Sequence, residues 1–270
     1  MLNEISERIL LFGCGAMAGA MLSRWLEAGL SPELVTVVRP SGAAVASGVR
    51  VVTALPDDVR PNLVLLGVKP AMLGEVEEDV RSALRRGGAR LLSILAGVTQ
   101  ARLRARFAEA GLVVRAMPNL PVALGGGVVA LHAPEADADD RAMLETLHRP
   151  LGLVEWIADE RDYDVVTALA GSGPAFLYRF IDAMARGGRA LGLDEAQAER
   201  LALATVAGSA RLAASAEVPP AVLADRVASK GGSTRAGLDR LDANGALDRL
   251  VAKTLAAATE RNRQMGREVG

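Results

Sequence analysis

Six residues near the start of the chain have the types and spacing to hold a phosphate. Gly13-Cys14-Gly15-Ala16-Met17-Ala18 has the form G-x-G-x-x-A. It directly follows the apolar run Ile9-Leu10-Leu11-Phe12 and opens a helical stretch from Ala16 to Ala28. Gly13 permits a tight turn, Gly15 lets the backbone approach an anion closely, and Ala18 keeps helix and strand in contact. The first helical N–H groups, at Ala16 and Met17, have no acceptor within the helix and sit at the positive end of its dipole. Alone, such a turn can serve packing only. Between a strand and a helix it points to the pyrophosphate of a dinucleotide.

The other chemistry-bearing residues fall where further strands end. Val38-Arg39-Pro40-Ser41 closes the second strand without the carboxylate that would bind the ribose hydroxyls of NAD. Arg39 can pair with a 2′-phosphate and Ser41 can hydrogen-bond it. NADPH is therefore expected over NADH, although an exposed arginine is also ordinary in so arginine-rich a chain. Val68-Lys69-Pro70 follows the fourth strand, with Lys69 in reach of a cofactor phosphate or ribose and Pro70 suited to open a helix. Ser93–Gly97, which contains Ala96, and Arg115–Asn119 end the next two strands. The Asn119 amide can orient a nicotinamide or a substrate, or it can be a turn asparagine before Leu120-Pro121. Further on, Ser229-Lys230-Gly231-Gly232-Ser233-Thr234 offers consecutive N–H groups and hydroxyls as a nest for a carboxylate. The alternative is an interhelical turn with a capping hydroxyl.

The elements that must position these groups change character along the chain. Up to about Trp156, apolar runs of strand length (Ile9–Phe12, Leu34–Val38, Val49–Val52, Leu63–Leu66, Leu91–Leu95, Leu112–Val114, Val128–Leu131, Leu153–Trp156) alternate with helical stretches. Alternation predicts an α/β domain, a Rossmann-like doubly wound parallel sheet. Beyond Ala158 the pattern is helix after helix: Asp164–Ala170, Pro174–Leu191, Asp194–Glu217, a short one after Pro219-Pro220, and Gly245–Met265. The boundary is placed at residue 158, giving domains 1–158 and 159–270. The small-residue helix over Leu201–Ala216 is expected to be core, or else a subunit interface.

Composition removes several functions. The 270 residues carry a formal net charge of -1 and only 3% aromatics, so neither a basic field nor a stacking surface for nucleic acid is expected. No apolar run approaches the ~20 residues of a membrane span. Glu4 and Glu7 precede the first apolar run, unlike a basic leader. The single cysteine, Cys14, excludes an intrachain disulfide and a cysteine zinc site, which fits a reducing cytoplasm; no metal is expected. The two histidines, His132 and His148, lie in no catalytic setting and read as structural or surface groups.

Taken together, Gly13–Ala18, Val68-Lys69-Pro70, Met117-Pro118-Asn119, Gly171-Ser172-Gly173-Pro174-Ala175-Phe176 and Val227–Leu238 resemble the pyrroline-5-carboxylate reductase family along nearly the whole chain. The last stretch, with Ser229, Gly232, Thr234, Gly237 and Leu238, is the most specific. The resemblance implies a Rossmann-like domain that binds NADPH (or NADH) through Gly13, Gly15, Ala16, Met17, Arg39, Ser41, Val68, Lys69, Pro70, Ala96 and Asn119. It implies an all-α dimerisation and substrate domain forming a homodimer or larger homo-oligomer. The substrate would be held by Ser229, Gly231, Gly232, Ser233 and Thr234, its carboxylate on backbone N–H groups and its ring nitrogen facing the Thr234 hydroxyl. The product would be L-proline. Ala170 stands where the family commonly has Ser, Lys230 where Pro is common, and Thr53-Ala54 where some relatives contact adenosine through Asn.

Two rival readings share the first domain. A β-hydroxyacid dehydrogenase would need a catalytic lysine past the boundary, where only Lys230 and Lys253 occur without a matching surround; an F420-dependent NADP oxidoreductase is similar in its first half. A non-catalytic dinucleotide-binding regulator would have no use for the Gly231–Thr234 loop.

Overall fold

A computed structural model describes residues 2–268. Its strands are β1 (Ile9–Phe12), β2 (Val35–Val38), β3 (Arg50–Val52), β4 (Leu63–Leu66), β5 (Arg90–Ser93), β6 (Leu112–Pro118), β7 (Gly127–His132) and β8 (Gly152–Trp156), joined into one sheet of order β3-β2-β1-β4-β5-β6-β7-β8. β1 pairs in parallel with both β2 and β4, Ile9 facing Val35 on one side and Leu63 on the other. The chain winds outward from β1 in both directions, so the ends of β1 and β4 flank the switch point where a doubly wound sheet binds its ligand.

The central strands are continuous apolar runs because both faces are covered. Alternate residues serve opposite layers. Ile9, Leu11, Val35, Val37, Leu63 and Leu65 pack with Met21, Leu22 and Trp25 of α1 (Ala16–Glu27) and Leu144 and Leu147 of α4 (Ala138–His148). Leu10, Phe12, Val64, Leu66 and Leu91 pack with Val80 and Leu84 of α2 (Leu73–Gly87) and Leu103 of α3 (Gln100–Arg106). Each such side chain, fully buried, stabilises the fold by roughly 1.5–3 kcal/mol.

The sheet departs from the expected parallel pattern once: β7 runs antiparallel to β6. Only Asn119–Gly126 joins them, and a parallel return needs a crossover of about a dozen residues or more. β8 then pairs in parallel with β7 after α4.

The chain divides into two compact units. The first runs to Ser172 and takes in the residues from Ala258 onward; the second is Gly173–Ala257. The first therefore also contains α5 (Tyr163–Val166), a π-helical turn over Thr167–Gly171 and the end of α10 (Ala246–Glu268). The second holds α6 (Gly173–Ala190), α7 (Glu195–Ser215), α8 (Pro220–Val227), α9 (Ser233–Leu241) and the start of α10. Its buried centre is small: Ala185, Ala198 and Ala202, with Ile181 against them. The small-residue helix is thus core along one stripe only. α7 buries one stripe, Ala198 and Ala202, while Leu201, Leu203 and Leu212 stay exposed.

Candidate functional site

The glycine turn is wedged between the ends of β2 and β4. Gly13 donates its N–H to the Val38 carbonyl (2.9 Å), and Gly67 donates to Phe12 (2.9 Å). Gly13 has φ +78°, and a Cβ there would lie 2.9 Å from Val68 Cγ1 and 3.1 Å from the Gly67 carbonyl. The position needs glycine twice over, for its dihedral and for its space. Gly15 differs. It is extended (φ -79°, ψ -166°), it is the residue before the first turn of α1, and a Cβ there would meet nothing within 4 Å. No side chain caps α1, and the first helical bond runs from Gly19 N–H to the Gly15 carbonyl (2.8 Å). The N–H groups of Ala16, Met17 and Ala18 thus have no helical acceptor, with open space before them at the exposed Gly15 and Ala16. This cradle fits a dinucleotide pyrophosphate. The neighbouring Cys14 thiol is half-buried; burial pushes its pKa up, against a smaller pull from Arg39.

Arg39 donates its N–H to the Val52 carbonyl (2.9 Å), extending the β2–β3 pairing past Val38. Its guanidinium makes a long 3.4 Å bond to the Ala43 carbonyl, and Ser41 Oγ accepts the Ala43 N–H at 3.3 Å. Val68 packs against the glycine turn, Lys69 is exposed, and Pro70 opens a short 3₁₀ turn, Pro70–Met72, ahead of α2. Ala96 is exposed just past β5.

A cavity of about 370 Å³ runs along this carboxyl edge of the sheet, within the first unit, from Met17 past Ala96 and Met117 to Thr167, Gly171 and Ser172. Its ionisable lining is Arg115, Tyr163 and Asp164. Arg115, with a side chain only 8% exposed, pairs with Glu160 (Nη1 to Oε1, 2.5 Å), and its guanidinium carbon lies 3.9 Å above the Tyr163 ring. Glu160 Oε1 also accepts the Gln100 N–H at 2.6 Å, tying α3 to the cluster. Burial holds the Tyr163 hydroxyl well above the ordinary tyrosine range, and it has no protein partner. Sequence reading passed over this floor. Its signals were an arginine inside an apolar strand and an acidic turn, Asp159–Asp162, that read only as a boundary.

Asn119 is bonded to the backbone at both ends of its side chain. It is 6% exposed; Nδ2 donates to the Ala170 carbonyl (2.9 Å), and Oδ1 accepts the Val128 N–H (2.8 Å). Both histidines are buried. His132 Nδ1–H donates to Ile157 (2.8 Å) and His148 Nδ1–H to Leu144 (2.7 Å). Burial drives the His148 pKa down to about 4.

In the second unit the Ser229–Thr234 loop leads into α9. Gly231 has φ +73°, and a Cβ on Gly232 would lie 2.5 Å from Ser229 Oγ. Gly232 precedes the helix with no side-chain cap, and Ala236 N–H makes the first helical bond to its carbonyl (3.2 Å). The N–H groups of Ser233 and Thr234 therefore lack helical acceptors. Ser229, Lys230, Gly231, Ser233 and Thr234 are exposed. A 2.7 Å ion pair from Arg235 to Asp225 ties this turn to α8.

Sheet order, switch point and glycine turn define the class: a Rossmann-like dinucleotide-binding fold with a helical domain appended. Residues 160–265 match the family model for pyrroline-5-carboxylate reductase dimerisation. The pyrroline-5-carboxylate reductase of Pseudomonas aeruginosa is 33% identical, covering 98% of this chain and 99% of that protein; that of a Synechocystis species is 34% identical, covering 98% and 100%. Among solved structures, a pyrroline-5-carboxylate reductase from Coxiella burnetii has a TM-score of 0.89 at 29% identity, covering 97% of this chain and 99% of that one. The Plasmodium falciparum enzyme, solved with NADP bound, has 0.83 at 25%, covering 97% and 98%. The chain belongs to the pyrroline-5-carboxylate reductase family.

Proposed function

We propose that this chain reduces the C=N bond of L-1-pyrroline-5-carboxylate to give L-proline, the last step of proline biosynthesis, with NADPH as donor and NADH as the lesser alternative. Beyond the family relationship, one observation carries the reading. Among the described residues, no histidine or lysine lines the cavity at the sheet edge; its arginine is paired with Glu160, its tyrosine hydroxyl is sealed, and its other ionisable group is the Asp164 carboxyl. Reduction of a carbonyl calls for a proton donor to the developing alkoxide. A protonated imine is already an electrophile, and its nitrogen keeps its proton as the C=N pair moves onto it. Such a site has mainly to orient its reactants and fix a carboxylate by hydrogen bonds.

NADPH, when bound, supplies the hydride. The turn at Gly13 carries its pyrophosphate on the backbone N–H groups of Gly15, Ala16 and Met17, the Gly13 N–H being bonded to the Val38 carbonyl. Arg39 and Ser41 take the 2′-phosphate, while Val68, Lys69, Pro70 and Ala96 border the rest. The N–H groups of Ser233 and Thr234 hold the substrate carboxylate in the loop from Ser229 through Gly232, the Gly232 N–H being bonded instead to the Ser229 carbonyl (3.0 Å), and the Thr234 hydroxyl donates to the ring nitrogen of the neutral imine or relays the proton that charges it. By role, residues 1–158 bind most of the cofactor and 159–270 serve substrate and dimerisation, with Thr167, Gly171 and Ser172 bordering the cofactor's cavity. A homodimer or larger homo-oligomer forms through the C-terminal helices; the dimerisation match and the exposed leucines of α7 support it. The small-molecule substrate requires neither nucleic acid nor membrane, and the lone cysteine suits a reducing cytoplasm.

Oxidation of NADPH and NADH, measured side by side with pyrroline-5-carboxylate, is the test. Turnover with a higher kcat/KM for NADPH is expected. Turnover only with a hydroxyacid or with F420 moves the chain to another reductase class, and cofactor binding without turnover makes it a regulator.

A further inference from the structure

The π-helical turn Thr167–Gly171 forms part of the cavity wall, and the side chain of Asn119 bonds its Ala170 carbonyl. Ser172 N–H reaches back five residues to the Thr167 carbonyl at 3.0 Å, the bond that defines such a turn. Extra residues of this kind recur at functional sites, because an insertion in a helix re-aims the groups around it. Here the turn places Thr167, Gly171 and Ser172 in the wall. It also comes close to the strand end opposite, since a Cβ on Gly171 would sit 3.1 Å from Met117 Sδ, and Met117 lines the same cavity.

Asn119 fixes this approach. Its backbone N–H donates to the Val128 carbonyl (3.2 Å) and its Oδ1 accepts the Val128 N–H (2.8 Å), so the residue clasps the ends of β6 and β7. The same amide then gives one N–H to Ala170 in the turn, at 2.9 Å. Few side chains can do both. A carboxylate would accept from Val128 and present a second acceptor to the Ala170 carbonyl; leucine offers neither bond.

We propose that Asn119 is a positioning residue for hydride transfer: by bonding the Ala170 carbonyl it sets the gap between the π turn and Met117, and so the seat of the nicotinamide end of the cofactor. The proposal rests on the reading that NADPH occupies this cavity. It predicts a selective defect. The pyrophosphate grip at Gly13–Ala18 is untouched, so an ADP-ribose fragment carrying the 2′-phosphate, which lacks the nicotinamide, should bind equally well to wild type and variants.

The experiment compares full-length wild type with Asn119→Asp and Asn119→Leu. It measures NADPH and fragment binding by calorimetry, single-turnover hydride transfer to pyrroline-5-carboxylate, and thermal melting. Expected is fragment affinity within about twofold of wild type, NADPH affinity lower by about tenfold, the worth of about one hydrogen bond, and a single-turnover rate lower by about ten- to a hundredfold, as for a small misplacement of reactants. Gly171→Ala presses on Met117 without touching the clasp; it should show the same selective loss if the Asn119 variants fail to fold. A lower melting temperature with an unchanged NADPH-to-fragment affinity ratio and an unchanged single-turnover rate overturns the proposal, leaving Asn119 a clasp of the fold alone. Equal loss of NADPH and fragment overturns it too. Wild type that binds the fragment no less tightly than NADPH, and transfers no hydride, overturns the functional reading instead.

Discussion

Gly15→Ala should leave the fold intact and remove the cofactor, because at this residue the two demands part. The Gly15 backbone is extended, with φ -79° and ψ -166°, and the space where its Cβ would point is empty. Alanine at a compatible dihedral raises stability by about 0.4–1 kcal/mol through the unfolded chain. Alanine is a worse residue than glycine before a helix, which costs a similar amount. The net change is near zero, and the melting temperature should move by less than about 4 °C for a chain of this size. The methyl group, however, enters the room assigned to the pyrophosphate. Losing two charge-assisted N–H bonds at about 1.5 kcal/mol each gives about 3 kcal/mol, roughly a hundredfold in Kd. Gly13→Ala is the contrasting control. Its φ of +78° and the 2.9 Å approach to Val68 make it a folding defect first, by at least about 1–2 kcal/mol. NADPH titrations by nicotinamide fluorescence, alongside thermal melts, read both quantities. If Gly15→Ala melts like wild type and binds NADPH within about threefold of it, the pyrophosphate does not lie on this turn.

Three further outcomes follow from single side chains. The His148 pKa near 4 lies below its ordinary 6.5, so the unfolded chain takes a proton that the folded one refuses; this share of stability is whole above about pH 7, falls as pH drops from 6.5 toward 4, and is down by about 2 kcal/mol at pH 5. His148→Leu should remove that part of the slope in urea unfolding at fixed protein concentration, and parallel slopes for the two proteins would contradict it. Arg39→Ala should weaken NADPH by about tenfold and leave NADH unchanged, the worth of one charged contact; an equal loss for both cofactors would take Arg39 away from the 2′-phosphate. Thr234→Ala should lower kcat/KM by about ten- to a hundredfold with the melting curve unmoved, since it deletes one hydroxyl at an exposed helix start; wild-type kinetics would remove Thr234 from the mechanism.

How much of this was legible follows from the distance over which each feature is built. Leu63–Leu66 read as a strand to the residue, because a strand buried on both faces carries its own signature. The demand for glycine at Gly13 and Gly231 is equally local: both adopt positive φ inside short turns. By contrast, the apolar pattern ends at Val114 while β6 continues to Pro118, since Arg115 looks like a strand's end. It is admitted to the interior by Glu160 and Tyr163, some 45 residues on, and no window along the chain joins them. Asp164–Ala170 read as ordinary helix for the same reason. The π turn there is secured by Asn119, which is 51 positions away and whose spacing alone could not tell a turn residue from a ligand. Glycine turns are therefore visible in sequence, whereas the side-chain clasps beside the cavity are not. An imine reductase leans on orientation more than on acid strength, so the hidden clasps, Arg115 to Glu160 and Asn119 to Ala170, are where its rate is most open to change by a distant substitution.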